Sequence, residues 1–361
     1  MSSDQDSTKP LSVAPGPLFV VSMWRSGSSL LYALLNKHPE VALTFEADLL
    51  LLKTTFLKPR AFCDWAERWE FWNRALHRHG LAPTDFDSAI SDFPAAFTAA
   101  HQLYARRRGA TIWGDKSPNY YDRLNEMADD FPQARFIIVW RNPEGTVNSI
   151  LRAASLGNSY FSRAGAPFCA LLGYEVFKQE CDRLLARGKP VCQVNYEDLI
   201  ADTPSVMRQV CNFLQISYDD SLSTLQGADR SSVLHGQHHA NLKGDQIVRG
   251  PRPQLLTPAL RERISAYLAL WQGRYGTAWP PYPPIVENSA PPVARLSEVL
   301  NRILYRVLRL KDRISPLVFS LVPISPLRFY RALKAWRRAG KQNEAVSPSG
   351  VKAAATVEGR P

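Results

Sequence analysis

The sequence predicts an α/β fold in which a central parallel sheet lies between layers of helices. Three segments support this prediction, because each reads as an apolar strand, a polar turn and a helix: 17–41, 134–152 and 191–216. In the first segment, residues 18–21 are apolar without alternation, as expected for a strand covered on both faces. Strands that alternate with helices form a parallel sheet, and ligands bind at the carboxyl ends of its strands.

Length and charge divide the chain into a large domain and a basic extension. Its 361 residues, 45% of them hydrophobic, can bury a large core. The formal net charge of +11 is concentrated in residues 291–341, where twelve Lys or Arg stand against Glu298 and Asp312. We expect a disordered start, an α/β domain, a basic amphipathic helical tail and a disordered end. Their predicted bounds are 1–15, 16–285, 286–342 and 343–361.

The turn after the first strand has the composition of an anion-binding loop. It contains Arg25, Ser26, Gly27, Ser28 and Ser29. Backbone N–H groups and hydroxyls converge in such a turn at the positive end of a helix dipole, which predicts a phosphate site. The Walker A loop, G-x-x-x-x-G-K-[ST], is comparable, but here Ser28 replaces its lysine and the cation, Arg25, precedes the glycine. The site therefore suits a nucleotide without a γ-phosphate.

This loop resembles that of the sulfotransferases, which reads P-[RK]-S-G-T-T-L after a strand. The resemblance implies a three-layer P-loop-like fold and 3′-phosphoadenosine-5′-phosphosulfate (PAPS) as the donor of a sulfuryl group. In motif spacing the chain is most similar to the bacterial and tyrosylprotein sulfotransferases. The matching motifs follow the family's order across residues 17–276.

Further segments extend the resemblance to the rest of the donor site. ARFIIVWRNPEGTVNSILR resembles the family's A-R-F-I-x-x-x-R-[DN]-P-x-x-x-x-x-S segment, which implies that Arg141 and Ser149 bind the 3′-phosphate. A guanidinium suits this role because its planar fork makes two charge-assisted bonds to one phosphate. Residues 196–199, Tyr-Glu-Asp-Leu, resemble the family's Y-E-D-L motif, which implies that Tyr196 lies near the adenine. HGQHHANLKGDQIV resembles a late segment that closes over the nucleotide, so Lys243 or Arg249 is expected at the 3′-phosphate.

Sulfuryl transfer requires a base for the acceptor and cations for the leaving phosphate. Glu46 follows Arg25 by 21 residues, a spacing similar to that of the catalytic glutamate in tyrosylprotein sulfotransferases. Lys116 resembles the family's K-x-P lysine. The resemblance implies that Lys116 and Arg25 stabilise the transferring and leaving groups. Glu46 could instead cap or pair at a helix start, and Lys116 could be a surface lysine. Asp115 is the next candidate base.

The sequence leaves the acceptor open, and we expect a hydroxyl of a carbohydrate, a glycolipid or another small molecule. Asp48 stands where the tyrosylprotein branch has an arginine, which argues against a peptidyl tyrosine. A P-loop kinase and a non-enzymatic, membrane-associated nucleotide-binding protein are the alternatives. The missing Walker lysine opposes the first, and the presence of Glu46 and Lys116 opposes the second. The oligomeric state is not indicated.

Neither a metal nor a disulfide is expected. His235, His238 and His239 could suggest zinc, but their spacing lacks a further ligand set, and the resemblance implies a reaction without metal. Five scattered cysteines without a C-x-x-C pair predict reduced, buried thiols.

The start of the sequence lacks an apolar run, so we expect a cytoplasmic enzyme. In the tail, an apolar stripe between arginines predicts a helix that lies on the inner face of an anionic membrane, with residues 291–341 in contact. The same helix could dock on its own domain, on another subunit or on an acidic polymer. No nucleic-acid-binding motif accompanies it, so no nucleic-acid partner is expected.

An aromatic-rich region between the first two motifs has two interpretations. Residues 50–110 read as mostly helical and contain Phe62, Trp65, Trp69 and Trp72. These rings could cap the acceptor site, or they could pack a helix onto the core, since their spacing is helical.

Overall fold

The computed structural model describes residues 14–57, 59–158, 161–162, 166–233, 242–249 and 254–275, together with Ile303 and Leu310. The predicted disordered ends lie outside these ranges, except for residues 14 and 15. The basic tail also lies outside them apart from Ile303 and Leu310, as do His235, His238 and His239.

Within the described residues, five parallel strands form the central sheet, and the sequence predicts such a parallel sheet. They are β1 (Leu18–Ser22), β2 (Val41–Phe45), β3 (Ile112–Lys116), β4 (Arg135–Trp140) and β5 (Val191–Asn195). Their order across the sheet is β2-β3-β1-β4-β5, so β1 lies at the centre. The chain builds one side of β1 first and then crosses to the other side with β4. Such a reversal leaves a crevice at the carboxyl ends of the strands, where open α/β sheets bind their ligands.

Ten α-helices connect and cover the strands within the described residues. They are α1 (Ser28–Leu35), α2 (Phe62–Arg68), α3 (Glu70–Arg78), α4 (Phe93–Arg107), α5 (Leu124–Asp130), α6 (Pro143–Ser155), α7 (Ala166–Ala186), α8 (Tyr196–Ala201), α9 (Thr203–Leu214) and α10 (Pro258–Tyr275). Four 3₁₀ segments accompany them: Leu49–Leu57, Pro83–Asp85, Pro118–Tyr120 and Asp220–Ser223.

Both faces of the sheet are buried, which gives the fold its three layers. In β1, Phe19 and Val21 pack into a core with residues of α2 to α5 and α7. Leu18 and Val20 pack on the opposite face, in a core with residues of α1, α8 and α9. A strand covered in this way has no solvent face, which is the physical reason why its apolar residues do not alternate with polar ones.

The aromatic-rich region between the first two motifs contributes to the core. Phe62, Trp65, Trp69 and Trp72 are each at most 4% exposed and belong to the cluster that contains Phe19. Phe62 and Trp72 meet edge to face, with ring centroids 4.9 Å apart. Of the two interpretations of this region, the structure therefore supports packing onto the core.

The five cysteines are free thiols; Cys181, Cys192 and Cys211 are buried, as predicted, whereas Cys63 and Cys169 are only half-buried. Among the described helices, none combines the length and apolar character that crossing a bilayer requires.

Two histidines are buried side by side in the helical layer. His79 and His101 have little exposed surface, and neither Nε2 atom has a hydrogen-bond partner among the described residues. Burial and the neighbouring His101 lower the pKa of His79 to about 3. Protonation of His79 therefore opposes the folded state, because a buried cation here lacks a partner.

We predict that His79 makes the fold sensitive to acid. Its pKa is lower in the folded chain than in the unfolded one, so the stability that it contributes is lost as pH falls below about 6.5. In urea unfolding, the free energy of unfolding of His79→Phe, relative to that of the wild type, should rise by about 2 kcal/mol as the pH falls from 7.5 to 5. A difference between the two proteins that stays constant with pH would contradict this assignment.

Candidate active site

The loop between β1 and α1 forms a tight turn at the carboxyl end of the central strand. Arg25 and Gly27 have positive φ angles of 66° and 95°. A Cβ added to Gly27 would lie 2.1 Å from the ring of Tyr196, so only glycine fits there. The N-cap residue of α1 is Gly27, which has no side chain to cap the helix. The first N–H groups of the helix therefore remain available to an anion.

A cavity of about 270 Å³ opens beside this loop. It lies at the carboxyl ends of β1, β3 and β4, where the sheet topology predicts a ligand. Its lining includes Arg25, Gly27, Ser28, Ser29, Glu46, Lys116, Arg141, Ser149 and Tyr196. The structure thus brings together nine of the residues that the sequence singles out.

Three other candidates lie elsewhere. The hydroxyl of Ser26 turns away from the cavity into the core, where it lies 2.7 Å from the Tyr174 hydroxyl. Lys243 is exposed and does not line the cavity, although the adjacent Leu242 does. Arg249 is exposed as well.

Glu46 and Lys116 form an ion pair at the cavity wall. Lys116 is the last residue of β3, and its Nζ lies 2.6 Å from Glu46 Oε1 and 3.0 Å from Ser29 Oγ. The lysine side chain is 1% exposed, whereas that of Glu46 is 29% exposed. The ammonium also lies 4.3 Å from the centroid of the Phe45 ring. The lysine is thus fixed, and the carboxylate still meets solvent on the side of the cavity.

Asp115 is held in a structural position. It is fully buried, and its carboxylate accepts hydrogen bonds from Thr44 Oγ1 at 2.7 Å, from the Ala47 backbone N–H at 3.3 Å and from the Tyr120 hydroxyl at 2.8 Å. Because both carboxylate oxygens are engaged and the residue does not line the cavity, its geometry does not favour a role as the base.

Asp48 orients the opposite wall of the cavity. Its carboxylate accepts hydrogen bonds from Ser117 Oγ at 2.5 Å and from Asn119 Nδ2 at 3.0 Å. Asn119 in turn accepts a hydrogen bond from the Trp24 indole at 3.2 Å. Burial, reinforced by the nearby carboxylate of Glu46, raises the pKa of Asp48 to about 7. The loop after β1 is therefore tied to the turn after β3.

Two arginines meet between the loop after β1 and the turn after β4. Arg141 stacks on the ring of Tyr196, 4.2 Å from its centroid, and donates from Nη1 to the Arg25 carbonyl at 2.7 Å. Its Nε is buried and has no partner among the described residues. Arg25 donates from Nε to Ser149 Oγ at 3.3 Å. Both guanidinium groups thus lie at the predicted 3′-phosphate pair, and Arg25 reaches further from its own loop than the sequence suggests.

Several residues of the site escape sequence reasoning. Asn119, Phe161 and Ile247 line the cavity, and Tyr174 bonds to the loop from behind. Asn119, Phe161 and Tyr174 belong to no short motif, although Asn119 lies three residues after Lys116. Ile247 lies in the segment HGQHHANLKGDQIV, but the resemblance of that segment implies no role for it.

The described residues contain no group of three or more His, Cys, Asp or Glu side chains that could hold a metal ion.

The sequence was compared with models of known protein families. The model described as "Sulfotransferase family" matches residues 17–220, which is more than half of the sequence. The chain therefore belongs to the sulfotransferase family, and the resemblance inferred from its motifs is confirmed.

Individual relatives are distant. Protein-tyrosine sulfotransferase A of Caenorhabditis elegans is 26% identical over 210 residues, which cover 57% of this chain and 51% of that protein. Nodulation protein NoeE of Sinorhizobium fredii is 27% identical over 168 residues, which cover 43% of this chain and 34% of that protein. The chain thus spans about half the length, or less, of these curated relatives.

Among solved structures, the sulfotransferase domain from the curacin biosynthetic pathway is similar. Its TM-score is 0.49 at 20% sequence identity, and the match covers 72% of this chain and 99% of that domain.

We predict that Asp48 destabilises the fold when it ionises. Its pKa is raised above that of the unfolded chain, so the stability that protonated Asp48 provides is lost as pH rises through about 7. In urea unfolding, the free energy of unfolding of Asp48→Asn, relative to that of the wild type, should rise by about 1–2 kcal/mol as the pH rises from 5 to 8. The matched control is Asp198→Asn at an exposed carboxylate, which should leave the difference nearly constant. An equal response of the two variants would refute the prediction.

Proposed function

We propose that the protein transfers a sulfuryl group from PAPS to a hydroxyl of a carbohydrate, a glycolipid or another small molecule. The observation that carries the proposal is the convergence of three features on one cavity. These are the uncapped start of α1, the Arg141 guanidinium and the Glu46–Lys116 pair. The first two suit the two phosphates of the donor, and the third suits the transfer itself.

The donor fits the polar groups of the cavity. The N–H groups at the start of α1 and the hydroxyls of Ser28 and Ser29 suit the 5′-phosphosulfate. Ser22 Oγ lies 2.8 Å from Ser28 Oγ, within hydrogen-bond distance, and so helps to fix that hydroxyl. Arg141 and Ser149 suit the 3′-phosphate, since Arg141 Nε lacks a partner in the described part of the chain. The adenine would then lie near Tyr196.

The chemistry follows from the ion pair. Glu46 is the base that accepts the proton of the acceptor hydroxyl as its oxygen bonds to sulfur. The bond between sulfur and the bridging oxygen breaks, and negative charge develops on the 5′-phosphate. Lys116 and Arg25 are the cations that stabilise this charge. The bond between Lys116 and Ser29 keeps the ammonium directed at the phosphate-binding loop.

The relatives named as tyrosine sulfotransferases make a peptidyl tyrosine the rival acceptor. Asp48 argues against that acceptor here, because it stands where the tyrosylprotein branch has an arginine. Trp24, Pro118 and Phe161 give the cavity apolar surface, which suits the ring face of a sugar or another small molecule.

Two rivals remain for the function as a whole. A P-loop kinase would need a cation after the glycine, but Ser28 occupies that position. The solvent-facing Glu46 and its buried partner Lys116, both at the cavity, weigh against a binding protein without activity. Turnover of ATP that depends on magnesium would favour the kinase and overturn our proposal.

We also propose that the enzyme works in the cytosol and that residues 291–341 hold it on anionic membranes. The charge and the apolar stripe of this segment support the proposal. Sedimentation with anionic liposomes tests it. Pelleting that persists after deletion of residues 291–361 would contradict the role of the tail.

Catalysis should depend on Glu46 and Lys116. We predict that Glu46→Gln and Lys116→Ala each slow transfer by about two orders of magnitude or more, because a base or a stabilising cation is lost. Rates of sulfate transfer from PAPS test this, with calorimetric titration to show that nucleotide binding persists. Glu40→Gln, at an exposed glutamate, serves as the matched control. Wild-type rates in both variants would remove these residues from the mechanism.

The first experiment is calorimetric titration without magnesium, using 3′-phosphoadenosine-5′-phosphate (PAP) and AMP. We predict that PAP binds more tightly and that Arg141→Ala removes most of this preference, since a charge-assisted contact is worth about 1.5–3 kcal/mol. If the wild type binds both nucleotides equally, the 3′-phosphate site is absent and the proposed function fails.

A further inference from the structure

We infer that Tyr174 sets the spacing between the two phosphate-binding elements of the site and is a positioning residue for a donor with two phosphates. The elements are the loop of residues 23–28 and the turn that joins β4 to α6. The inference rests on the proposed function, since only a donor phosphorylated at both ends requires both elements at a fixed separation.

The hydroxyl of Tyr174 joins the two elements by hydrogen bonds. It lies 2.7 Å from Ser26 Oγ in the loop and 2.8 Å from Thr146 Oγ1 in the first turns of α6. It also lies 3.2 Å from the carbonyl oxygen of Arg141, to which it donates. Since a phenol has one proton, the hydroxyls of Ser26 and Thr146 donate to the tyrosine oxygen in this arrangement.

The surroundings of Tyr174 make this junction rigid. The residue is fully buried, and its ring stacks on Trp140 at the end of β4, with centroids 6.5 Å apart. Burial raises the pKa of Tyr174 to about 12, so the hydroxyl keeps its proton at neutral pH. At the preceding residue, Gly173, an added Cβ would lie 2.5 Å from the Met23 side chain. Helix α7 thus packs closely against the loop, which brings the hydroxyl within reach.

A second hydrogen-bonded connection links the loop to the turn. Arg141 donates to the Arg25 carbonyl at 2.7 Å, and the carbonyl of Arg141 itself accepts the bond from Tyr174. The loop and the turn are therefore connected through the arginine side chain and through the tyrosine, and Arg25 also bonds to Ser149 on α6. Arg141 is expected to bind a phosphate, so its guanidinium is shared between ligand and loop. Tyr174 does not line the cavity. It therefore holds the distance between the loop and the turn whether or not a nucleotide is bound.

Loss of the hydroxyl should affect the two phosphates unequally. A nucleotide with one phosphate needs the loop alone, whereas a bisphosphate needs the loop and the turn at their correct separation. Without the tie, a bisphosphate must order both elements as it binds, and this ordering reduces its affinity. The expected signature is a smaller preference for the bisphosphate, which a general loss of stability would not produce.

The test is calorimetric titration of the full chain with PAP and with AMP, for the wild type and Tyr174→Phe. We expect PAP affinity to fall about tenfold and AMP affinity by about threefold or less, since the Ser26 and Thr146 hydroxyls lose a buried partner. Tyr267→Phe is the matched control. It removes a tyrosine hydroxyl that bonds Leu171 and Glu175 on the same helix, away from the loop. Its preference for PAP should equal that of the wild type.

The outcomes separate the inference from the proposed function. If the wild type does not prefer PAP over AMP, the proposed function itself fails. If the wild type prefers PAP and Tyr174→Phe retains the full preference, the inference alone is overturned. Equal losses of affinity for both nucleotides also overturn it, because they indicate a general structural role.

A second variant guards against misfolding of Tyr174→Phe. Thr146→Val removes the hydroxyl on the α6 side and leaves the tyrosine ring in place. It should weaken PAP binding in the same direction and by a smaller factor. Combined with Tyr174→Phe, its effect should be less than the product of the two single effects, since both changes break one network. Independent effects would contradict the network.

Discussion

The site depends on one buried charge. Lys116 ends β3 with a side chain that is 1% exposed, and an ammonium in that position requires an anion and further hydrogen-bond acceptors. Glu46 and Ser29 supply them at 2.6 Å and 3.0 Å. These two partners come from the segment after β2 and from the start of α1, so the lysine fixes three strand ends relative to each other. The position of the proposed base and the direction of the proposed cation are therefore a single structural feature.

Backbone strain is concentrated around the same point. Of the four residues other than glycine with positive φ in the described part of the chain, three lie at the site: Arg25, Glu46 and Asp48. Such conformations persist only where the surroundings determine them, and they often mark functional positions. Here the compensating bonds are visible, since Glu46 N–H donates to the Lys116 carbonyl at 2.8 Å and Arg141 holds the Arg25 carbonyl. The strain holds side chains in place that regular structure would direct elsewhere.

The sequence predicts well those features that strand ends determine. The parallel sheet, the turn between β1 and α1 and the meeting of Arg25, Lys116 and Arg141 at one cavity all follow from polar residues placed at or directly after the ends of apolar strands. It predicts poorly what depends on side-chain direction within a turn. Ser26 belongs to the loop motif, but its hydroxyl points into the core toward Tyr174, a residue on a helix 148 positions away. No local pattern contains such a contact, because the packing of α7 against the loop creates it.

Strand register explains why the reacting groups converge so closely. In the pairing of β2 with β3, Phe45 lies opposite Lys116, so Glu46 emerges one residue beyond the lysine. In the pairing of β1 with β4, Ser22 lies opposite Val139, which brings the loop and the turn bearing Arg141 to the same edge. A shift of one residue in either ladder would turn these side chains to the other face of the sheet. Ladder hydrogen bonds in the core thus set the distances of the proposed chemistry, while the cavity wall around Asp48 and Asn119 belongs to connecting segments that no register constrains. We therefore expect substitutions at the strand ends to impair donor binding. The choice of acceptor should depend on the connecting segments around Asp48 and Asn119.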